Sequence, residues 1–74
     1  MNKQRRMQIK EVISKVNTII ELLQDVLDDE VESFENMPEG LQMSDNGMAS
    51  EDAQESLEEA IGALEDCIIC LEEI

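Results

Sequence analysis

Apolar residues recur every three or four positions through the first half of the chain, which is the spacing of a helix that buries one side. No Gly or Pro interrupts this run, so the pattern predicts one continuous helix over about residues 2–35. At about 1.5 Å per residue, such a helix would be about 50 Å long.

The first helix is predicted to end before Pro38, whose ring disfavours helical geometry at the preceding residue. Gly40, Asn46 and Gly47 suit turns or positions of positive φ. Residues 36–47 are therefore predicted to form a loop, and its apolar residues to fold back over the end of the bundle.

A second periodic run predicts a helix over about residues 48–74. Its start falls between Ser44 and Ser50, because both serines are good N-caps. The predicted seam of this helix consists of Ala53, Leu57, Ala60, Leu64, Cys67, Leu71 and Ile74, widened by Ile61 and Ile68.

The apolar stripe of the first helix is wider than one seam. Its first row is Val12, Val16, Ile19, Leu23 and Val26, and its second row is Ile13, Ile20 and Leu27. One antiparallel neighbour would cover the first row and leave the second exposed to water, whereas two neighbours would cover both. The small size of the chain and its single aromatic residue also favour oligomerisation.

These patterns together predict an all-α, single-domain antiparallel helical hairpin over residues 1–74 that dimerises into a four-helix bundle. The residues predicted to form the dimer interface are Val12, Ile13, Val16, Ile19, Ile20, Leu23, Val26, Leu27, Leu57, Ile61, Leu64, Ile68 and Leu71.

The charge narrows the range of partners. Nineteen acidic residues against five basic ones give a formal net charge of −14, and all five basic residues lie in the first fifteen positions, beside the acidic end of the second helix in a hairpin. Binding to phosphates requires Lys and Arg, so neither direct nucleic-acid binding nor attraction to an anionic membrane is expected. The expected partners are a second copy of the chain and a protein with a basic surface.

Cys67 and Cys70 form a C-x-x-C sequence near the end of the second helix. A redox motif would need a strand-to-helix context, and a zinc site would need four ligands in a chain that has no His. We therefore expect Cys67 to pack in the core and Cys70 to lie at its boundary. No apolar segment is long enough to span a membrane and no signal-peptide pattern follows the basic start, so a cytoplasmic protein with reduced thiols is expected.

Catalytic chemistry finds no support in the sequence. No His is present to activate a Ser or Cys, and there is no Gly-rich phosphate loop and no calcium-loop spacing. We therefore expect neither an enzyme nor a bound metal or cofactor. Glu30 lies on the extended seam, where it either fixes the register or marks a rotation of the stripe, and we favour rotation.

The loop contains more apolar residues than a simple turn needs. Met37, Met43 and Met48 have flexible side chains that suit an adaptable binding surface, and capping of the bundle end is the alternative. The candidate partner-binding residues are Asp28, Asp29, Glu32, Glu35, Asn36, Met37, Glu39, Leu41, Gln42 and Met43.

The segment from Phe34 to Ser44 has the pattern Phe-x-Asn-Met-Pro-Glu-x-Leu-Gln-x-Ser, and the Glu-Glu-Ala-Ile sequence of residues 58–61 follows. This pattern resembles a family of short acidic helical-hairpin proteins from phages and prophages of Gram-positive bacteria. The resemblance covers nearly the whole chain, although only the central eleven residues are distinctive. It implies no particular activity, but it implies a phage context, in which small acidic proteins bind host proteins such as defence nucleases.

The expected function is therefore a non-enzymatic interaction protein that inhibits a host defence or nucleic-acid-binding protein, with acidic mimicry of DNA as the sharper form. If it is phage-encoded, it would act in the cytoplasm of the host cell. The alternative is a structural or accessory bundle whose only partner is itself.

Overall fold

The computed structural model describes residues 1–74 and contains helices but no strands. The helices are α1 (Lys3–Glu35), α2 (Glu39–Gln42) and α3 (Asp45–Glu72). The long helices α1 and α3 pack against each other, and the Cα atoms form a rod of 58 × 15 × 12 Å. The predicted all-α helical hairpin is thereby confirmed.

The two ends of the chain meet at one end of the rod. Asn2 caps α1 by accepting a hydrogen bond from the Arg5 backbone N–H at 2.8 Å. The Arg6 guanidinium donates to the Ile74 carbonyl oxygen at 2.6 Å. The only side-chain ion pair joins Lys15 to Glu11 within α1 at 3.5 Å, so the basic residues lie near the acidic end of α3 without forming ion pairs to it.

Residues 36–47, which were predicted to form a loop, contain the short helix α2 and the first residues of α3. The Pro38 carbonyl accepts hydrogen bonds from the N–H groups of Leu41 and Gln42, which closes the single turn of α2. Helix α3 then begins at Asp45, earlier than residue 48, with Ser44 as its N-cap. The Ser44 Oγ accepts a hydrogen bond from the backbone N–H at position 47.

Gly47 has a different role from the one its sequence context suggests. No residue in the chain has a positive φ, so no glycine is needed for a left-handed conformation. A Cβ atom built on Gly47 would instead collide with the backbone carbonyl of Gln42, whereas one on Gly40 would meet open space. Glycine at position 47 therefore allows α2 to lie directly against the first turn of α3.

The seam between α1 and α3 changes character along the rod. Toward the chain ends it is aliphatic, with Ile20, Ile61 and Ile68 buried and five further residues packed against them: Ile13, Val16, Leu23, Leu27 and Leu64. Toward the connection the α3 side of the seam continues through small and polar residues, with Gly47 and Ser50 buried and Gln54 half-buried. The α1 side there contributes the half-buried residues Leu27, Glu30 and Phe34. Val31 is half-buried beside Glu30, so the seam passes between these two residues.

The structure changes the expected use of the two rows on α1. Val16 and Leu23 of the first row pack in the seam as expected, but the second row takes the place of the other three members. Residues 13, 20 and 27 face α3, while Val12, Ile19 and Val26 are about half exposed, at 46%, 46% and 52%. The row that faces α3 is Ile, Ile and Leu, and it buries more apolar area than Val, Ile and Val would. On α3, Ile61 and Ile68 occupy the seam for the same reason, leaving Ala53, Ala60, Cys67 and Ile74 exposed.

Candidate interaction surfaces

One side of the hairpin presents apolar residues that the fold leaves uncovered. On α1 they precede seam residues by one position, as Val12 precedes Ile13. On α3 the exposed residues Ala53, Ala60 and Cys67 precede seam residues in the same way. Two antiparallel helices are related by an approximate two-fold axis perpendicular to the plane that contains them. Residues that precede the seam by one position therefore lie on the same side of the pair, whichever helix they belong to.

Leu22 on α1 and Ala63 on α3 lie next to these rows and are also exposed, Leu22 at 59%. We call the combined surface the apolar flank. It consists of Val12, Ile19, Leu22 and Val26 on α1 and Ala53, Ala60, Ala63 and Cys67 on α3. None of these residues is charged or has a long polar side chain, although the exposed residues Lys15 and Asp29 border the flank in the same row as Leu22. The flank is therefore an apolar surface along the middle of the rod with charged residues at its outer edge.

The opposite side of the seam is polar and mainly acidic, and we call it the acidic flank. On α3 it carries exposed glutamates every seven residues, Glu51, Glu58, Glu65 and Glu72. On α1 the corresponding exposed residues are Lys10, Asn17 and Gln24. The hairpin is therefore two-sided, because one flank is apolar and the other is polar and mainly acidic.

The charge is also divided along the rod. Fourteen of the nineteen acidic residues and none of the five basic residues lie between Glu21 and Glu59, which we call the loop half. The rest of the chain, the chain-end half, holds five acidic and five basic residues, so their charges balance. The loop half therefore carries the whole formal charge of −14.

Most of the predicted partner-binding residues lie on the surface of the loop half. Leu41 and Met43 are 53% and 82% exposed, and the exposed polar members of the set are Asp28, Asp29, Glu32, Glu35, Asn36 and Glu39. Met37 is half-buried. The Gln42 side-chain amide donates to the carbonyl oxygens of Phe34 at 3.1 Å and Met37 at 3.2 Å, so it caps the end of α1 and is less free to meet a partner.

The structure places most of the predicted dimer interface inside the hairpin itself. The seam takes up ten of its thirteen members, and only Val12, Ile19 and Val26 stay exposed. The predicted interface did not include Leu22, and Ala53, Ala60 and Cys67 were assigned to the seam of the second helix instead of its surface. The larger residues Ile61 and Ile68, one position after Ala60 and Cys67, are the signal that could have placed the small residues outside the seam.

The prediction that Cys67 packs in the core is wrong, because Cys67 and Cys70 are both exposed free thiols. The seam passes through Ile68 instead, which buries a larger apolar side chain. Nowhere in the chain do three His, Cys, Asp or Glu side chains come together in a group that could hold a metal ion.

A shallow pocket of about 490 Å³ lies between α1 and α3 where the chain ends meet. Lys3, Arg6 and Lys10 line it together with Glu72 and apolar residues that include Ile13. Arg6 already donates to two carbonyl oxygens there, those of Met1 and Ile74. The pocket thus lies at the end of the seam, where Arg6 is already engaged in these hydrogen bonds.

None of the helices combines the length and the apolar character needed to cross a membrane. Comparison with protein-family models, with curated proteins and with solved structures gives no match to this chain.

Proposed function

We propose that this protein is a non-enzymatic interaction protein of phage or prophage type. It dimerises through the apolar flank and presents the acidic loop half to a host protein with a basic surface, such as a defence nuclease or another nucleic-acid-binding protein. The observation that carries this proposal is the segregation of the two surfaces: the apolar flank gathers uncharged residues of both long helices on one side, and the loop half is free of basic residues.

The exposed area supports self-association. The single hairpin exposes 5667 Å², whereas a compact monomer of 8.4 kDa would expose about 4,600 Å². The excess of about 1,000 Å² is comparable with the ~800 Å² that each partner contributes to a stable protein interface. A second copy on the apolar flank would remove this excess and turn the hairpin into a four-helix bundle.

The density of charge supports mimicry of a nucleic acid. Over roughly half of the 58 Å rod, fourteen carboxylates amount to about one negative charge per 2 Å of length, and duplex DNA carries about one per 1.7 Å. A protein groove built to neutralise phosphates would meet a similar field in the loop half. Attraction of this kind weakens as the salt concentration rises.

Affinity capture from a Gram-positive bacterial lysate tests the proposal. We expect the tagged protein to retain nucleic-acid-binding proteins, which salt releases and duplex DNA displaces. Neutralising Asp28, Asp29, Glu32 and Glu35 together, as Asn or Gln, should abolish capture, because it removes four charges from the surface of the loop half.

The matched control neutralises Glu65, Asp66, Glu72 and Glu73 in the chain-end half, which removes the same charge and should leave capture intact. Capture that resists high salt, or that the two quadruple variants reduce equally, would contradict the acidic mimicry. Retention of nothing but the protein itself would instead support a purely structural bundle.

A further inference from the structure

We propose that two copies of the hairpin pair head-to-tail through their apolar flanks, so that the loop end of each copy lies beside the chain ends of the other. A two-fold axis then crosses the rod at the level of Ile19 and Ala60. This inference rests on the self-association proposed above and adds the arrangement of the two copies.

The level of the axis follows from the register of the helices. The Arg6 side chain reaches the Ile74 carbonyl, Ile20 and Ile61 lie in one buried cluster, and α1 and α3 are antiparallel with the same rise per residue. Thirteen residues inward from Arg6 and from Ile74 are Ile19 on α1 and Ile61 on α3, so Ile19 and Ala60 lie at about the same level of the rod.

Two arrangements bring the apolar flanks of two copies together. A two-fold axis along the rod places both loop ends at the same end and packs α1 of each copy on α3 of the other. A two-fold axis across the rod places the loop ends at opposite ends and packs α1 on α1 and α3 on α3.

The charge favours the axis across the rod. With the axis along the rod, both loop halves, each of charge −14, would lie side by side. Packed helices are about 8–10 Å apart, so many of these like charges would lie within about one Debye length, ~8 Å at physiological salt. The head-to-tail arrangement instead sets each loop half beside a chain-end half that holds all five basic residues of its own copy.

The apolar flank is also self-complementary about this axis. Ile19 lies midway between Val12 and Val26, and it is the central residue of α1. Rotation about Ile19 therefore sets Val12 against Val26 of the second copy, with full overlap of the two rods. Such reciprocal pairing is what a two-fold interface requires.

The residues on α3 obey the same symmetry. Ala60 lies midway between Ala53 and Cys67, so rotation sets Ala53 against Cys67 of the second copy. The small side chains let the two α3 helices approach closely, while the larger residues of α1 fill the other side of the interface. The whole flank is then covered by its own copy.

Disulfide cross-linking at Ala60 tests this arrangement. In a chain with Cys67→Ala and Cys70→Ala, Ala60→Cys places a thiol at the axis, where the Cα atoms of the two copies would fall within the ~7 Å limit for a disulfide. We expect oxidation to convert most of the protein into a covalent dimer on a non-reducing gel. Glu59→Cys in the same background, on the outer side of α3, should give none.

The arrangement with both loop ends together predicts a different product. Ala60 would face Ile19 of the second copy, and the two Ala60 residues would lie on diagonally opposite helices. Ala60→Cys copies would then fail to cross-link to one another and would cross-link to Ile19→Cys copies in a mixed sample. That result would overturn the head-to-tail proposal.

Light scattering separates this outcome from failure of self-association. We expect the wild type to be a dimer, and also Asn17→Glu, which adds a charge on the acidic flank. Ile19→Glu should be a monomer, because two carboxylates would meet at the axis. A monomeric wild type would overturn self-association and arrangement together, whereas a dimer without the Ala60 cross-link would overturn the arrangement alone.

Discussion

The two halves of the hairpin are built from the same pair of helices but are stabilised differently. In the chain-end half the seam is aliphatic, with Ile61 and Ile68 buried, and the surface charges balance. In the loop half the start of α3 contributes Gly47, Ser50 and Gln54 to the seam, opposite apolar residues of α1 that are only half-buried, and fourteen carboxylates crowd the surface without a basic residue between them.

The loop half has no fully buried large apolar residue, and backbone contacts and hydrogen bonds add to its half-buried ones. Gly47 allows α2 to lie against α3, and the Gln42 amide ties α2 to the end of α1. Like charges on the surface oppose these contacts. The chain-end half therefore contributes most to the stability of the fold, whereas the repulsion between carboxylates on the loop half lowers it.

The largest expected effect lies in the aliphatic half of the seam. Ile61 is only 7% exposed, so Ile61→Ala should lower the free energy of unfolding by about 2–5 kcal/mol. Urea unfolding followed by circular dichroism, at one protein concentration, measures this loss. Ile69→Ala on the same helix, 58% exposed, is the matched control and should change stability by less than about 0.5 kcal/mol. Equal losses in the two variants would break the comparison.

A smaller effect is expected at the close approach in the loop half. Gly47→Ala brings a methyl group into the Gln42 carbonyl and should cost about 1–3 kcal/mol, because backbone must move to admit it. Gly40→Ala is the control, since its Cβ would meet open space and alanine favours a helix. The same unfolding experiment compares them. A stabilised Gly47→Ala variant would show that α2 does not need its close contact with α3.

The smallest effect separates the two halves by charge alone. Glu55 has four acidic neighbours three or four positions away on α3 (Glu51, Asp52, Glu58 and Glu59), so Glu55→Gln should raise stability by about 0.5–1 kcal/mol at low salt. Glu65 has no charged residue at those spacings, and Glu65→Gln should have almost no effect. The gain should shrink as salt is added. A gain of equal size in both variants would show that repulsion between neighbouring carboxylates does not destabilise the loop half more than the chain-end half.

The sequence was sufficient to predict the hairpin, because the apolar period is strong and Pro38 ends the first helix. It was not sufficient to show which apolar row of α1 faces α3. A regular spacing of three and four residues runs through Val12 and Ile19, and another runs through Ile13 and Ile20. Only the larger total burial of the second choice decides between them. The exposure of Cys67 follows from the same decision.

The candidate surfaces were predictable in part. The loop half could be recognised from charge alone, since the absence of basic residues after Lys15 is visible in the sequence. The roles of Gly47 and Gln42 could not, because they depend on how closely α2 approaches the two long helices. Contacts of this kind are tertiary and leave no periodic signal.

The position of the aliphatic seam also affects the order in which contacts form when the hairpin folds. The contact between Gln42 and Phe34 closes a segment of eight residues, whereas bringing Ile20 to Ile61 closes one of about forty, which costs roughly 1.4 kcal/mol more in chain entropy. A hairpin that forms from its connection therefore brings the highly charged half together before it buries Ile20, Ile61 and Ile68. We expect salt, which screens these like charges, to raise the folding rate.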